Sequence, residues 1–207
     1  MSLNLLKFAC LLLAGLVLDN PQTSFATRRL ENPVMWIIEK TSTLQIDGKS
    51  NVNSFTCTIE EYNRNDTIIS NSYTSPQPVM LSGSLTLEIV NFNCHSSLIN
   101  KDFRKTLKEN EYPQMIIRFL KIESMPGMKE KLEVIKGLVE VQVAGVIKEI
   151  EIDYSFSKNR DCLVQLGGKK DFRFSDFNLK PPRKLAGLIR IKDHFEVSFQ
   201  LMLRPIV

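Results

Sequence analysis

The chain has 207 residues, and its 27 basic and 23 acidic residues leave a net charge of +4 at pH 7. The basic residues are scattered among acidic ones and form no stripe, which argues against a nucleic-acid partner. There are two histidines in all, and neither stands at a zinc-ligand spacing from cysteine or acidic residues. We therefore predict no catalytic residues, no metal and no cofactor.

Residues 1–26 are typical of a secretory signal peptide. Lys7 supplies a positive charge, an apolar run extends from Phe8 to Leu18, and Ser24-Phe25-Ala26 places small residues where a signal peptidase cuts. The run is too short for a comfortable transmembrane helix, although a retained membrane anchor is the alternative. We expect cleavage near Ala26, a single domain over residues 27–207, and a periplasmic protein, with full secretion as the alternative.

Three cysteines remain in the mature chain, and an exported protein meets oxidising conditions. Phe55-Thr56-Cys57 and Phe92-Asn93-Cys94 share one short pattern, and in each the Phe and the Cys point to the same face of a strand. We favour a disulfide between Cys57 and Cys94 with Cys162 left over. The alternative is a pair of buried free thiols.

The first half of the mature chain contains several stretches with strand character. They are Trp36–Glu39, Thr43–Asp47, Asn53–Ile59 and Ser84–Cys94. In the last of these the apolar face changes near Ile89, which predicts a bulge or bend of the kind that barrels need. Residues 63–77 are rich in Asn, Ser, Thr and Pro, and we expect a surface loop there.

The stretch from Asn100 to Phe119 begins with a charged, helix-compatible half. Pro113 ends any helix, and Met115–Phe119 has the pattern of a strand. Because strand patterns dominate on both sides, we predict a short polar helix inserted into an all-β protein. Such an insert usually caps or flanks a barrel.

The second half contains the clearest alternation of apolar and polar residues. Lys136–Gly145 and Lys148–Phe156 alternate on both sides of a glycine turn and predict an antiparallel hairpin. Asp171–Phe174 is a shorter strand, and the tandem prolines of residues 176–182 indicate a rigid loop. Finally, Leu188–Lys192 and Phe195–Leu203 are expected to be two strands joined by a turn at Asp193 and His194.

These elements amount to about eight or nine strands with hairpin-scale connections and without a βαβ rhythm. A closed antiparallel barrel and a sandwich are the two candidate architectures. We favour the barrel, because long alternating strands would otherwise leave exposed edges. The fold class predicted is all-β: a closed antiparallel β-barrel of about eight strands with a short helical insert.

Four places in the chain together resemble the YceI-like family of exported bacterial proteins. They are Gly48–Phe55, the insert from Asn100 through Tyr112-Pro113 to Phe119, Gly137–Val146 around its glycine turn, and the run from Asp176-Phe177 through Pro181-Pro182 to Ile191. Their order and spacing carry the resemblance, although Lys101-Asp102 stands where the family usually has Arg-Asp. The resemblance implies a lipocalin-like barrel that binds long amphiphilic molecules of polyisoprenoid type, and it leaves a homodimer open.

On this hypothesis, apolar side chains from several strands would line a cavity in the barrel. We expect them to be Phe55, Phe92, Phe119, Val141, Phe156, Phe199 and Leu201. A head group at the mouth would contact Asn100, Lys101 and Arg104, near the insert. The alternatives are a solid core built from the apolar residues and an ordinary solvated helix surface for the polar ones.

The function predicted is binding of an isoprenoid lipid or a quinone-like amphiphile, as a carrier, store or sensor. Two other functions are open: a protein-interaction module with a filled core, and an enzyme with an unrecognised acidic site. For catalysis nothing singles out a pair of carboxylates. His95 follows Cys94, and neighbours in a strand point to opposite faces, so the two do not form a ready dyad.

Overall fold

The computed structural model describes residues 33–59, 61–71, 78–125, 132–158, 163–184 and 188–206. The predicted signal peptide and Cys162 lie outside these residues, so both predictions stand as they were made. Within the described part, no helix is both long and apolar enough to cross a bilayer.

The described residues form eleven β-strands and one α-helix. In chain order the strands are β1 (Val34–Ile38), β2 (Thr43–Ser50), β3 (Ser54–Ile59), β4 (Thr67–Ser70), β5 (Val79–Glu88), β6 (Gln114–Ile122), β7 (Glu133–Val143), β8 (Val146–Lys158), β9 (Val164–Arg173), β10 (Arg183–Lys184) and β11 (Ile189–Ile206). The helix α1 (Ser97–Thr106) lies between β5 and β6. Single 3-10 turns follow β5 (Ile89–Asn91) and β9 (Phe174–Phe177).

The strands close into an antiparallel barrel with eight positions around its circumference, which confirms the predicted fold class. Strands β4 to β9 follow one another in sequence order, and β1 pairs with β4. The 18-residue β11 closes the wall between β9 and β1. Its first part pairs with β2 instead of β1, and β2 pairs with β3, so this hairpin extends the wall beyond the short strands β1 and β4.

Strand β7 shows how the sequence places side chains inside and outside the barrel. Val139, Val141 and Val143 are buried, whereas Glu140 and Gln142 between them are half-buried on the outer face. There the guanidinium of Arg118 on β6 donates hydrogen bonds to Glu140 and Gln142. Because successive side chains of a strand point to opposite faces, this alternation directs the valines to the barrel axis.

The turn between β7 and β8 is as tight as predicted. Ala144 and Gly145 adopt φ angles of 48° and 80°, the left-handed conformations of a two-residue hairpin turn of type I′. Eleven consecutive residue pairs follow from Val143–Val146 to Glu133–Phe156. This hairpin is the longest regular ladder in the described part of the barrel.

A predicted loop and a predicted turn are wrong. The segment at residues 63–77 is not one loop, because β4 lies within it and pairs with β1 and β5. Its short apolar pair Ile68-Ile69 becomes a strand only through these non-local partners. Asp193 and His194 do not form a turn either, since they lie inside β11. The Asp193 carboxylate accepts hydrogen bonds from the backbone N–H and the hydroxyl of Ser175, at 3.2 and 2.8 Å.

Candidate functional site

The barrel half near α1 encloses a cavity of about 460 Å³, here called the lumen. Strands β2, β3, β5 to β9 and β11 all contribute apolar side chains to it. They include Leu44, Ile46, Phe55, Leu85, Leu87, Met115, Ile117, Phe119, Val141, Val143, Ile152, Phe172, Val197, Phe199 and Leu201. The volume lies within the range of about 300–1,000 Å³ that is typical of small-molecule sites. The barrel is therefore hollow at this end, contrary to the alternative of a completely filled core.

The other half of the barrel is filled. Trp36, Ile122 and Phe156 are buried there, around a second cavity of only about 40 Å³. Phe119 and Tyr154 line both cavities. These two aromatic side chains form the floor of the lumen.

The mouth of the lumen lies at the opposite end from this floor. It is bordered by α1 and by the turn between β2 and β3, at residues 50–54. Val52 in the turn and Leu98 on the helix are 59% and 60% exposed while also lining the cavity. The lumen therefore opens to solvent between the helix and the hairpin.

Five of the seven side chains predicted to line the cavity do border the lumen. They are Phe55, Phe119, Val141, Phe199 and Leu201. Their strands were recognised from alternation, and the inward face follows from the burial of each strand's apolar residues. Whether they contact a ligand stays a prediction.

The other two predicted lining residues, Phe92 and Phe156, lie elsewhere. Phe92 follows the 3-10 turn after β5, so the alternation of that strand does not extend to it, and its ring packs at 5.0 Å from that of Phe103 on α1. Phe156 points inward, but it lies one layer below Tyr154 and borders the small cavity instead. The lining prediction is corrected for both residues.

The lumen wall also carries a cluster of aromatic side chains that the sequence patterns did not predict. Phe172 on β9 faces Phe195 on β11 in the same register, with the rings stacked at 5.8 Å. Phe174 packs on Phe195 at 4.9 Å and Phe177 on Phe172 at 5.8 Å, and all four line the lumen. The inward series from Phe195 to Leu201 was visible in the sequence, but the pairing of β9 with β11 was needed to extend it to Phe172.

None of the three residues predicted to contact a head group lines the lumen. The Asn100 side-chain oxygen accepts a hydrogen bond from the Cys94 backbone N–H at 2.7 Å. Arg104 donates to the carbonyl of Val90 at 2.9 Å, and Lys101 is exposed. These residues hold the helix in place or face solvent, so the prediction of their position is corrected.

The inward face of α1 carries different residues. Leu98, Ile99, Asp102, Phe103 and Thr106 all line the lumen. Most of them are separated by three or four positions, which is the spacing of residues on one helix face. The sequence alone did not show which face of this short helix would turn inward.

A disulfide fixes the segment that leads into α1. Cys57 on β3 is bonded to Cys94, and both residues are buried. Next to them, Thr58 and Asn93 exchange two backbone hydrogen bonds of 2.9 Å each. The pairing favoured from the sequence is present in the structure, and it ties the base of the helix to the barrel wall.

Charge is nearly absent from the lumen wall. Of the described residues that line it, Asp102 and Lys170 are the charged ones. The Lys170 ammonium donates to the backbone carbonyl of Glu151 at 2.8 Å, beyond Tyr154 and Gly168, where the ladder between β8 and β9 ends. Its aliphatic stem is left to face the cavity. Within the described part, no group of His, Cys, Asp and Glu residues could hold a metal ion.

No protein-family model matches the chain, and no curated protein matches it either. Solved structures do. A polyisoprenoid binding domain from Saccharophagus degradans, implicated in plant cell wall breakdown, matches with a TM-score of 0.62 at 13% identity, over 82% of this chain and 97% of that one. BcnA of Burkholderia cenocepacia matches with a TM-score of 0.58 at 13% identity, over 78% of this chain and 95% of that one.

A YceI protein of Campylobacter jejuni is also matched, with a TM-score of 0.47 at 17% identity, over 70% of this chain and 82% of that one. At such identities the similarity concerns the fold. The first two matches span nearly the whole of their own chains. The chain therefore has the fold of the first two proteins, and the lipocalin-like barrel that the resemblance to the YceI-like family implied is present.

Proposed function

We propose that this protein binds an amphiphilic lipid whose apolar chain lies inside the lumen. The observation that carries this proposal is the 460 Å³ cavity, whose wall is almost entirely apolar, in a barrel that is otherwise filled. An empty cavity of this size forfeits packing contacts that an apolar occupant would restore. No catalytic role is proposed.

The volume bounds the length of chain that the lumen holds. A group the size of a water molecule or a methylene occupies about 30 Å³, so the lumen has room for about 15 such groups. This corresponds to about three isoprene units or to an acyl chain of about 15 carbons. A longer polyisoprenoid would extend through the mouth, past Val52 and Leu98.

Burial of the chain supplies enough free energy for binding without a polar anchor. Removing ~400 Å² of apolar ligand surface from water at ~25 cal/mol per Å² gives a gross term of about 10 kcal/mol. Part of this offsets the loss of translational and rotational freedom on association. Affinity should therefore follow the length of the buried chain more closely than the chemistry of the head group.

The chemical class to test first is the isoprenoid. The S. degradans domain with the same fold is described as polyisoprenoid binding, and the sequence resemblance implies the same class. A quinone-like amphiphile is the second class. We also propose, from the signal-peptide pattern of residues 1–26, that the protein acts in the periplasm as a carrier, store or sensor of the lipid. A homodimer stays a prediction.

The proposal can be tested by obstructing the lumen. Val197 lies on β11, lines the cavity and is half-buried, so Val197→Trp would place about seven additional non-hydrogen atoms in a space for about fifteen. Val134→Trp is the matched control, because Val134 is 67% exposed on the outer face of β7. Binding of farnesol, a probe with three isoprene units, would be measured by native mass spectrometry and by displacement of a fluorescent fatty-acid analogue.

The wild-type protein and Val134→Trp should bind farnesol with one site each. Val197→Trp should bind it at least tenfold more weakly while keeping its β-rich circular dichroism spectrum, because about half of the buried chain area is lost. Equal binding by the Val197→Trp variant would contradict the proposed site. A wild-type protein that binds neither farnesol nor a longer polyprenol nor a quinone would contradict the proposed function.

A further inference from the structure

We propose that Tyr154 ends the binding site and donates a hydrogen bond from its hydroxyl to an oxygen at the inserted end of the ligand. This inference rests on the proposed function and narrows its ligand class. The ligands that fit best would be amphiphiles that enter the barrel with a neutral carbonyl or hydroxyl oxygen leading.

The position of Tyr154 is the first observation. Its side chain lines both the lumen and the small cavity below it, so it forms part of the partition between them. The residue is 2% exposed. Its ring packs edge-on against Phe199 at 5.8 Å and lies over Gly137 on β7, where a Cβ atom would collide with it. The ring is therefore held by its neighbours.

The second observation is that the Tyr154 hydroxyl has no hydrogen-bond partner in the described part of the chain. Tyr62 provides the contrast, because its buried hydroxyl donates to the Asp66 carboxylate and also contacts the backbone of Thr86. A buried hydroxyl without a partner is unfavourable unless an occupant of the cavity supplies one.

The hydroxyl also borders open space. Among the described residues, Arg104 Nε is a side-chain atom that has no hydrogen-bond partner and is completely enclosed by protein. The Tyr154 oxygen also lacks a partner, but it keeps some accessible surface. The hydroxyl carries its proton at neutral pH, as in any tyrosine, and burial raises the pKa of Tyr154 further above the usual tyrosine value. It is therefore a free donor on the partition between the two cavities that Tyr154 lines.

The surroundings of this donor indicate the chemistry of its partner. The other polar groups on the lumen wall belong mainly to the mouth, where Ser50, Asn53 and Ser54 lie in the β2–β3 turn and Asp102 and Thr106 lie on α1. The Lys170 ammonium keeps its charge, but it lies at the backbone carbonyl of Glu151, three residues from Tyr154 along β8, and not beside the Tyr154 hydroxyl. A carboxylate or phosphate at the floor would lose its hydration without a cation to pair with. A neutral ketone, quinone or alcohol oxygen would lose far less.

The test is a competition between two ligands of equal length. The protein is incubated with detergent micelles containing equal amounts of dodecane and 2-dodecanone, separated from the micelles by gel filtration, and its bound compounds are extracted and counted by gas chromatography. The measured quantity is the ratio of bound ketone to bound alkane, relative to the ratio in the micelles. It is compared among the wild-type protein, Tyr154→Phe and Tyr112→Phe, the last being the same substitution at an exposed tyrosine beside the β7–β8 turn.

The wild-type protein and Tyr112→Phe should enrich the ketone roughly three- to tenfold, the range expected for one buried hydrogen bond. In Tyr154→Phe the ratio should fall to about one, while the total amount of bound compound stays the same. Equal ratios in the wild-type protein and Tyr154→Phe would overturn the inference and leave the proposed function intact. Failure of every variant to bind either compound would overturn both.

Discussion

Reduction of the Cys57–Cys94 disulfide should destabilise the fold, because it removes a cross-link from the unfolded chain. The two residues are 37 positions apart, and the bond closes the loop that contains β4 and β5. In the chain-entropy model, a cross-link lowers the entropy of the unfolded chain by about 2.1 + 1.5R ln n cal/mol/K, where n is the number of residues in the closed loop. With n near 37, this corresponds to about 4 kcal/mol at 25 °C. Reduction should therefore remove a large fraction of the 5–15 kcal/mol that is usual for a domain.

The measurement is urea unfolding, followed by circular dichroism, with and without a phosphine reductant. The wild-type protein should lose about 4 kcal/mol of unfolding free energy on reduction. The double variant Cys57→Ala/Cys94→Ala is the control, because its stability should not depend on the reductant. Both thiols are buried, so this variant should be no more stable than the reduced wild type.

Two outcomes would contradict this role of the disulfide. A shift of less than about 1 kcal/mol on reduction would show that the unfolded chain already keeps residues 57 and 94 close together. A reductant effect of equal size in the double alanine variant would show that the effect does not arise from this disulfide. Either result would refute the assignment of about 4 kcal/mol to this cross-link.

Two further predictions concern the packing of the wall and the titration of a buried tyrosine. Gly168→Ala should lower the unfolding free energy by about 1–3 kcal/mol, because the added Cβ would lie 2.5 Å from the Phe199 ring. Gly167→Ala, on the opposite face of β9, is the control and should lower it less. Equal urea midpoints for the two variants would contradict this prediction. Burial, and next the hydrogen bond to Asp66, raise the pKa of Tyr62. The folded protein therefore keeps this proton where unfolded tyrosine loses it, and stability should fall as pH rises above about 10. Tyr62→Phe should show a flatter dependence of the urea midpoint between pH 9 and 11, and an unchanged slope would count against this assignment.

Local patterns were sufficient to predict the class of fold and several of its parts. The β7–β8 hairpin follows from valines that alternate with polar residues on either side of Gly145, because a period of two directs one set of side chains inward. The helix before Pro113 follows from equally local signals. The shared pattern around Cys57 and Cys94 also favoured the pairing that the structure contains.

Features that depend on non-local pairing were beyond such patterns. The four residues of β4 form a strand because β1 and β5 lie on either side of them. β11 continues past Asp193 because β9 pairs with it from His194 onward and β2 pairs with it on both sides of an irregularity, at Ile191 and from Phe195. Neither partner can be identified from the segment itself.

The lumen shows the same division. Alternation assigned Phe156 and Phe199 to the inside of the barrel, and both point inward. Only the stagger of the paired strands, which sets the depth of each residue along the barrel axis, decides that Phe199 borders the lumen while Phe156 lies below Tyr154. In the strands with clear alternation, the sequence by itself therefore determined which side chains share the apolar face. The tertiary structure decided whether they meet one another or surround a cavity, because that depends on the summed volumes of residues brought together from eight different strands.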